Sequence, residues 1–231
     1  MPEEVAPEPQ ALRSLREAWR ANYHAAHPTR ATLQGVRAHD ARLPDLSPAA
    51  VGARLDLLRR YRSRLDRIDR APLSEAERRE AETLEGELRA EIAELEQARA
   101  WESDPDFYRA ILAEGLRGLL EAPFESPERR LGPLTARLEQ VPAFLAQARE
   151  NLTAAPRAAT EAALASFAPL RAFLESGLGV AVPEADGTEM PRRFAEAKTA
   201  AVDALRAFET WMRTDLLPRS TGAALPGDAP R

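Results

Sequence analysis

Residues 47–95 read SPAAVGARLDLLRRYRSRLDRIDRAPLSEAERREAETLEGELRAEIAEL, and this stretch decides the fold. From Ser47 the apolar positions Val51, Leu55, Leu58, Tyr61, Leu65 and Ile68 recur every three or four residues, the spacing of one helical stripe. Ala81, Leu84, Leu88, Ile92 and Leu95 repeat the pattern after Ser74. Ser47-Pro48 sets a capping hydroxyl before a proline suited to the first turn, and Ser74 with Glu77 has the form of a capping box. Only Arg70 to Leu73 separates the two helices, so they fold back as an antiparallel hairpin. Residues 54–70 hold seven arginines and three aspartates, whereas 75–99 hold nine glutamates and four arginines. Opposite charge therefore lines the flanks. Each exposed pair contributes only about 0–1 kcal/mol, so the apolar seam carries the hairpin.

Outward from the hairpin the same punctuation continues. Asp104-Pro105 and Ser126-Pro127 begin further helices, the first carrying Phe107, Ile111, Leu112, Leu116, Leu119 and Leu120. Gly115 and Gly118 each cost about 1 kcal/mol in a helix interior, so they mark a close helix contact or an early end. Leu131, Leu134, Leu138 and Val141 make the next stripe, and Pro142 starts or bends the segment with Phe144 and Leu145. Leu164, Phe167, Leu170 and Leu174 follow, with a kink at Pro169. Residues 177–190 lack a helical period and form the longest internal loop. A last long helix runs from near Pro191 and ends by Leu217, before Pro218. The aromatic side chains, Tyr61, Tyr108, Phe124, Phe173 and Trp211 among them, read as core fillers. No alternating β-branched run occurs. The expected fold class is all-α: a multi-helix antiparallel bundle with a long helical hairpin and no sheet. The expected organisation is a flexible N-terminus over 1–9, a single helical domain over 10–218 and a disordered tail over 219–231.

Composition narrows function by exclusion. A chain of 231 residues, 44% apolar and 30% charged, is large enough for a contiguous core. Lys198 is the single lysine beside 31 arginines, and the net charge is −5. An acidic balance argues against a nucleic-acid partner, which requires a clustered basic surface. Zero cysteines exclude disulfides and thiolate metal sites. The acidic, proline-broken N-terminus lacks a secretory signal, and no stretch suits a membrane span; the expected location is the cytoplasm, without a membrane partner.

Few residues invite chemistry. The three histidines all fall within the first 39 residues. His24 and His27, at i and i+3, share a helix face, and His39-Asp40 could add ligands; His24, His27, His39 and Asp40 are thus the candidate metal residues. A zinc site needs three or four such groups in tetrahedral reach. Pro28 follows at once and no His-Glu-x-x-His completes the set, so surface, capping and hydrogen-bonding roles are favoured. The paired carboxylates Glu75/Glu77 and Asp66/Asp69 suit solvated helix faces. No nucleophile elbow or phosphate-cradling loop exists. We assign no catalytic residue and expect no cofactor.

Several ordered landmarks go beyond helix punctuation: His27-Pro28-Thr29-Arg30-Ala31-Thr32, Gly35, and His39 to Ser47; Leu65 to Asp69; Trp101 to Tyr108; Val141 to Leu145 with Ala148 to Leu152; and Trp211 to Gly222. Together they resemble the bacterial domain-of-unknown-function family 885. The resemblance implies helical, zinc-metallopeptidase-like proteins whose His-Glu helix and Pro-Gly-His segment lie downstream of the part matched here. After residue 39 this chain has no histidine, so no catalytic residue carries over. What the resemblance implies is an N-terminal helical half, one wall of a substrate cleft.

Three readings follow. The favoured one is a non-catalytic helical domain acting as a binding or scaffold module. The second is the cleft half of a metallopeptidase whose catalytic part lies on a separate chain or reading frame. The third is an independent enzyme or metal binder using His24, His27, His39 and Asp40. Partners expected are such a catalytic domain, or a second copy through an exposed apolar face.

Overall fold

The computed structural model describes residues 8–121, 127–153, 155–178 and 189–220. Within them the chain forms helices α1 (Glu8–Ala26), α2 (Pro28–Leu33), α3 (Pro48–Asp66), α4 (Glu75–Ala93), α5 (Ala100–Ser103), α6 (Pro105–Glu121), α7 (Pro127–Asn151), α8 (Arg157–Ala172), α9 (Glu189–Trp211) and α10 (Leu217–Arg219). No strand occurs among the described residues, and the all-α expectation stands. None of their helices is long and apolar enough to cross a membrane.

The hairpin forms as read. Ser47 Oγ accepts from the Ala50 amide, and Ser74 and Glu77 close a reciprocal capping box. The flank charges pair across the seam, with Arg54 gripping Glu91 at 2.7 and 2.9 Å, Arg59 meeting Glu96 at 2.5 Å and Arg70 meeting Glu85 at 2.8 Å. A third helix, α1, completes this unit: Leu12, Leu15 and Trp19 bury against Leu58, Tyr61, Leu65, Leu84 and Leu88. Trp19 Nε1 also donates to Glu87 at 2.9 Å.

A second, larger core gathers α6, α7, α8 and α9 around Tyr108, Leu119, Leu134, Leu138, Phe144, Phe167, Leu205 and Phe208. Pro133 and Pro142 lie inside α7 without ending it, and Pro169 lies inside α8. Burial of the apolar stripe on both sides of each proline outweighs the lost backbone bond. The ends of α4, α8 and α9 widen into single π turns.

Some boundaries differ from expectation. Helix α1 starts at Glu8, so residues 8 and 9 are helical rather than part of a flexible end; Pro9 sits in the first turn, where a missing N–H costs nothing. The last helix starts at Glu189 and the chain coils on past Leu217, because Pro218 occupies the first turn of α10. Phe173 is 38% exposed instead of filling the core. Ser126, Phe124, most of the 177–190 loop and the tail beyond 220 lie outside the described residues.

The glycine expectation resolves in favour of close contact. A Cβ on Gly115 would meet Thr29 Cγ2 at 2.9 Å, and one on Gly118 would meet Leu33 Cδ2 at 3.2 Å. Helix α2 lies against α6 at this spot.

Candidate functional site

The sequence-predicted metal residues go to separate structural tasks. His24, near the end of α1, shares a hydrogen bond of 2.9 Å with Gln34 Oε1. His27, between α1 and α2, turns its Nε2 to Glu91 Oε1 at 2.9 Å and lies 4.5 Å from the Tyr23 ring. Burial raises the Glu91 carboxyl, but the bonds from His27 and Arg54 more than offset it and leave it below its ordinary value. His39 sits in the single turn Arg37–His39. Burial lowers its pKa, with Arg42 and His24 adding repulsion, and its Nδ1 is buried without a hydrogen-bond partner. Asp40 is 4% exposed and accepts from Thr32 Oγ1 at 2.7 Å. No group of three or more metal-ligating side chains forms among the described residues.

Asp40 belongs instead to a polar centre that the sequence did not reveal. Its hub is Arg137 of α7, 1% exposed and wholly enclosed by the contact of α2, α6 and α7. Arg137 Nε donates to the Arg42 carbonyl at 3.0 Å and Nη1 to the Gly115 carbonyl at 2.5 Å. Nη2 reaches the Pro28 carbonyl at 3.2 Å and Thr32 Oγ1 at 2.6 Å. Burial pulls the guanidinium down to about 10, with Asp40 and Glu114 opposing, so it is fully charged at neutral pH. Beside it, Thr29 Oγ1 donates to Glu114 at 2.6 Å. Nothing in the apolar period of α7 singled out Arg137. One signal was present: Gly115 and Gly118 imply a close approach, and a close approach leaves backbone carbonyls needing donors.

Other polar groups that look chemical have structural partners as well. Asp104 and Asp106 stand two residues apart with pKa values pushed in opposite directions, a pattern found in acid–base pairs. Burial raises Asp104, which caps α6 by accepting from the Asp106 amide at 2.9 Å. Asp106 is lowered first by Arg109, which grips it at 2.5 and 2.8 Å, and it also receives the Ser166 hydroxyl from α8. Tyr108 is completely buried. Its hydroxyl donates to the Trp101 carbonyl at 2.6 Å and accepts from Asn151 Nδ2 at 2.9 Å, while burial raises its pKa. A surface groove of about 420 Å³ runs along α1 past Arg13, Arg16, Glu17, Arg20 and His24. Glu80 of α4 pairs with Arg16 there, and the Arg13 charge acts on Glu77.

The bacterial family of unknown function DUF885 matches residues 28–230. No curated protein matches this chain significantly. A solved structure described as "a putative lipoprotein of unknown function" from Shewanella oneidensis superposes with a TM-score of 0.79 at 19% identity. The match covers 92% of this chain and 38% of that one, so the chain spans well under half the length of its structural neighbour. At this identity the likeness is one of fold. Since the family match takes in most of the sequence, the chain belongs to DUF885, a bacterial family of unknown function.

Proposed function

We propose that this chain is a non-catalytic helical module, a scaffold or binding unit, similar to the N-terminal half of zinc-metallopeptidase-like proteins. One observation carries the reading: the side chains best suited to chemistry are already spent on joining helices. His27 and Arg54 converge on Glu91, Asp40 and Arg137 converge on Thr32, and Asp106 ties α6 to α8. All but the short-range Thr32–Asp40 bond link elements distant in sequence. Among the described residues the large apolar side chains that stand well exposed are Leu33 and Phe173, at 45% and 38%. They are single side chains of α2 and the α8 π turn, which suits a self-sufficient unit.

The experiment is metal analysis together with a peptidase assay on purified protein. Substoichiometric zinc, no cleavage of an unstructured protein, and a melting temperature unaffected by chelator are expected. Stoichiometric zinc lost on replacing His24 and His27, with chelator-sensitive turnover, overturns the reading.

A second reading has its own support. More than half of the Shewanella oneidensis chain has no counterpart here, as expected if this chain is one wall of a cleft completed by a catalytic part on a separate chain or reading frame. Co-expression with the product of an adjoining frame that encodes a His-Glu helix distinguishes the two: a stable, chelator-sensitive complex favours the cleft wall. Cell fractionation tests the cytoplasmic expectation, which the description of the Shewanella protein as a lipoprotein opposes.

A further inference from the structure

Asp40 and Ala41 continue the Arg37–His39 turn, the Arg42 amide donating to the His39 carbonyl, and residues 42–47 then run to α3 along α7 as a strap without helix or strand. Side chains hold its backbone. Gln140 takes both ends of one step, its Oε1 accepting from the Leu43 amide at 3.0 Å and its Nε2 donating to the Ala41 carbonyl at 2.7 Å. Gln147 Oε1 accepts from the Leu46 amide at 3.0 Å, and its Nε2 donates to Asp45 Oδ1 at 2.9 Å. Asn151 Nδ2 donates to the Leu46 carbonyl at 2.6 Å, and Arg137 holds the Arg42 carbonyl. Positions 137, 140, 147 and 151 follow one face of α7 over about 21 Å, at 1.5 Å per residue. The contacts advance together, from Ala41 and Arg42 at residues 137 and 140 to Leu46 at residues 147 and 151, so strap and helix run side by side.

We infer that the strap and α2 form a clasp that opens as one unit over the α6–α7 surface, withdrawing Leu43 and Leu46 from the edge of the larger core while the α1–α3–α4 core and the rest of the larger one stay packed. Three features carry this. The strap is anchored by four polar side chains and by Leu43, Pro44 and Leu46, with no ladder of its own. Helix α2, at six residues, cannot persist without its packing. The Arg137 guanidinium binds both pieces, holding the Pro28 carbonyl and Thr32 Oγ1 of α2 together with Arg42 of the strap. Releasing either piece leaves the buried guanidinium short of acceptors and draws it from the position in which it holds the other. Beneath the clasp, Leu112, Leu116, Val141 and Arg137 already border a pocket of about 10 Å³ closed by Leu43. Opening enlarges it into an apolar groove with a guanidinium on its floor.

Native-state hydrogen exchange on the full chain tests the clasp. In the double variant Gln140→Leu/Gln147→Leu, exchange at the Leu43 and Leu46 amides and throughout α2 accelerates about tenfold or more, tenfold being ~1.4 kcal/mol. Amides in α3–α4 and α8–α9 keep their wild-type rates. Thr29→Val, which removes only the Thr29–Glu114 bond of α2, accelerates Leu43 and Leu46 although Thr29 has no hydrogen bond to either. Acceleration of α2 alone in that variant, acceleration of the Leu43 and Leu46 amides without α2 in the double variant, or a common acceleration of every slow amide each overturn the inference.

Discussion

Replacing Arg137 with methionine tests the polar centre directly. Methionine retains much of the apolar stem and removes four hydrogen bonds made by a charged donor. Such bonds contribute about 1.5–3 kcal/mol each, but they do not add. Gly115 lies inside α6, so its carbonyl keeps its helical bond, and Thr32 Oγ1 can turn its one proton to the Pro28 carbonyl at 3.1 Å only by releasing Asp40. The Arg42 carbonyl has no such substitute. Against these losses stands the burial of a guanidinium, and buried ion pairs elsewhere can be replaced by apolar groups at little cost. That escape requires both partners to become apolar; backbone carbonyls cannot. We therefore expect a loss of about 3–5 kcal/mol, comparable to breaking a buried pair from one side. At about 2–4 °C per kcal/mol for a chain of this size, the melting temperature falls by roughly 6–20 °C in far-UV circular dichroism. Arg137→Lys keeps the charge but offers a single ammonium that cannot span α2, α6 and the strap, and it lands between wild type and Arg137→Met. A methionine variant within about 1 kcal/mol of wild type by denaturant titration refutes the argument that these carbonyls depend on Arg137.

Gly115→Ala and Gly118→Ala separate two kinds of close contact. Alanine favours the helix by about 1 kcal/mol at either site, yet at Gly115 it meets Thr29 beneath the buried centre and the net effect is a loss of about 1–3 kcal/mol, whereas the half-exposed Leu33 can give way at Gly118, leaving stability within about 0.5 kcal/mol. Both are read by urea unfolding; equal losses contradict the geometry. Glu91→Gln lowers stability by about 1–3 kcal/mol at neutral pH through weaker bonds to His27 and Arg54. Because the folded carboxyl lies below its ordinary 4.5, its contribution is complete above that value and fades as the pH falls through the lower folded value. Melting curves of the two proteins should therefore converge in acid, and a gap that widens there contradicts the assignment. Ser74→Ala removes the hydroxyl of the capping box and costs about 1 kcal/mol, seen as a melting temperature lower by about 2–4 °C; an unchanged value means that the cap is idle.

Local physics was enough for the elements. The stripe from Val51 to Ile68, its partner from Ala81 to Leu95, the caps at Ser47 and Ser74 and the opposite flank charges each act within a few turns of helix or across one short turn, so the order of residues determines them. The two glycines of α6 announced a close contact without naming what would approach. The rest required the tertiary structure. That α1 covers the hairpin, that His24 and His27 diverge to Gln34 and Glu91, and that Arg137 gathers carbonyls from residues 28, 42 and 115 all depend on which surfaces meet across some 10 to 110 positions of chain. A hydrophobic period says that a face is buried. Which polar group ends up beneath it is decided only when burial removes water and every carbonyl there must find a protein donor.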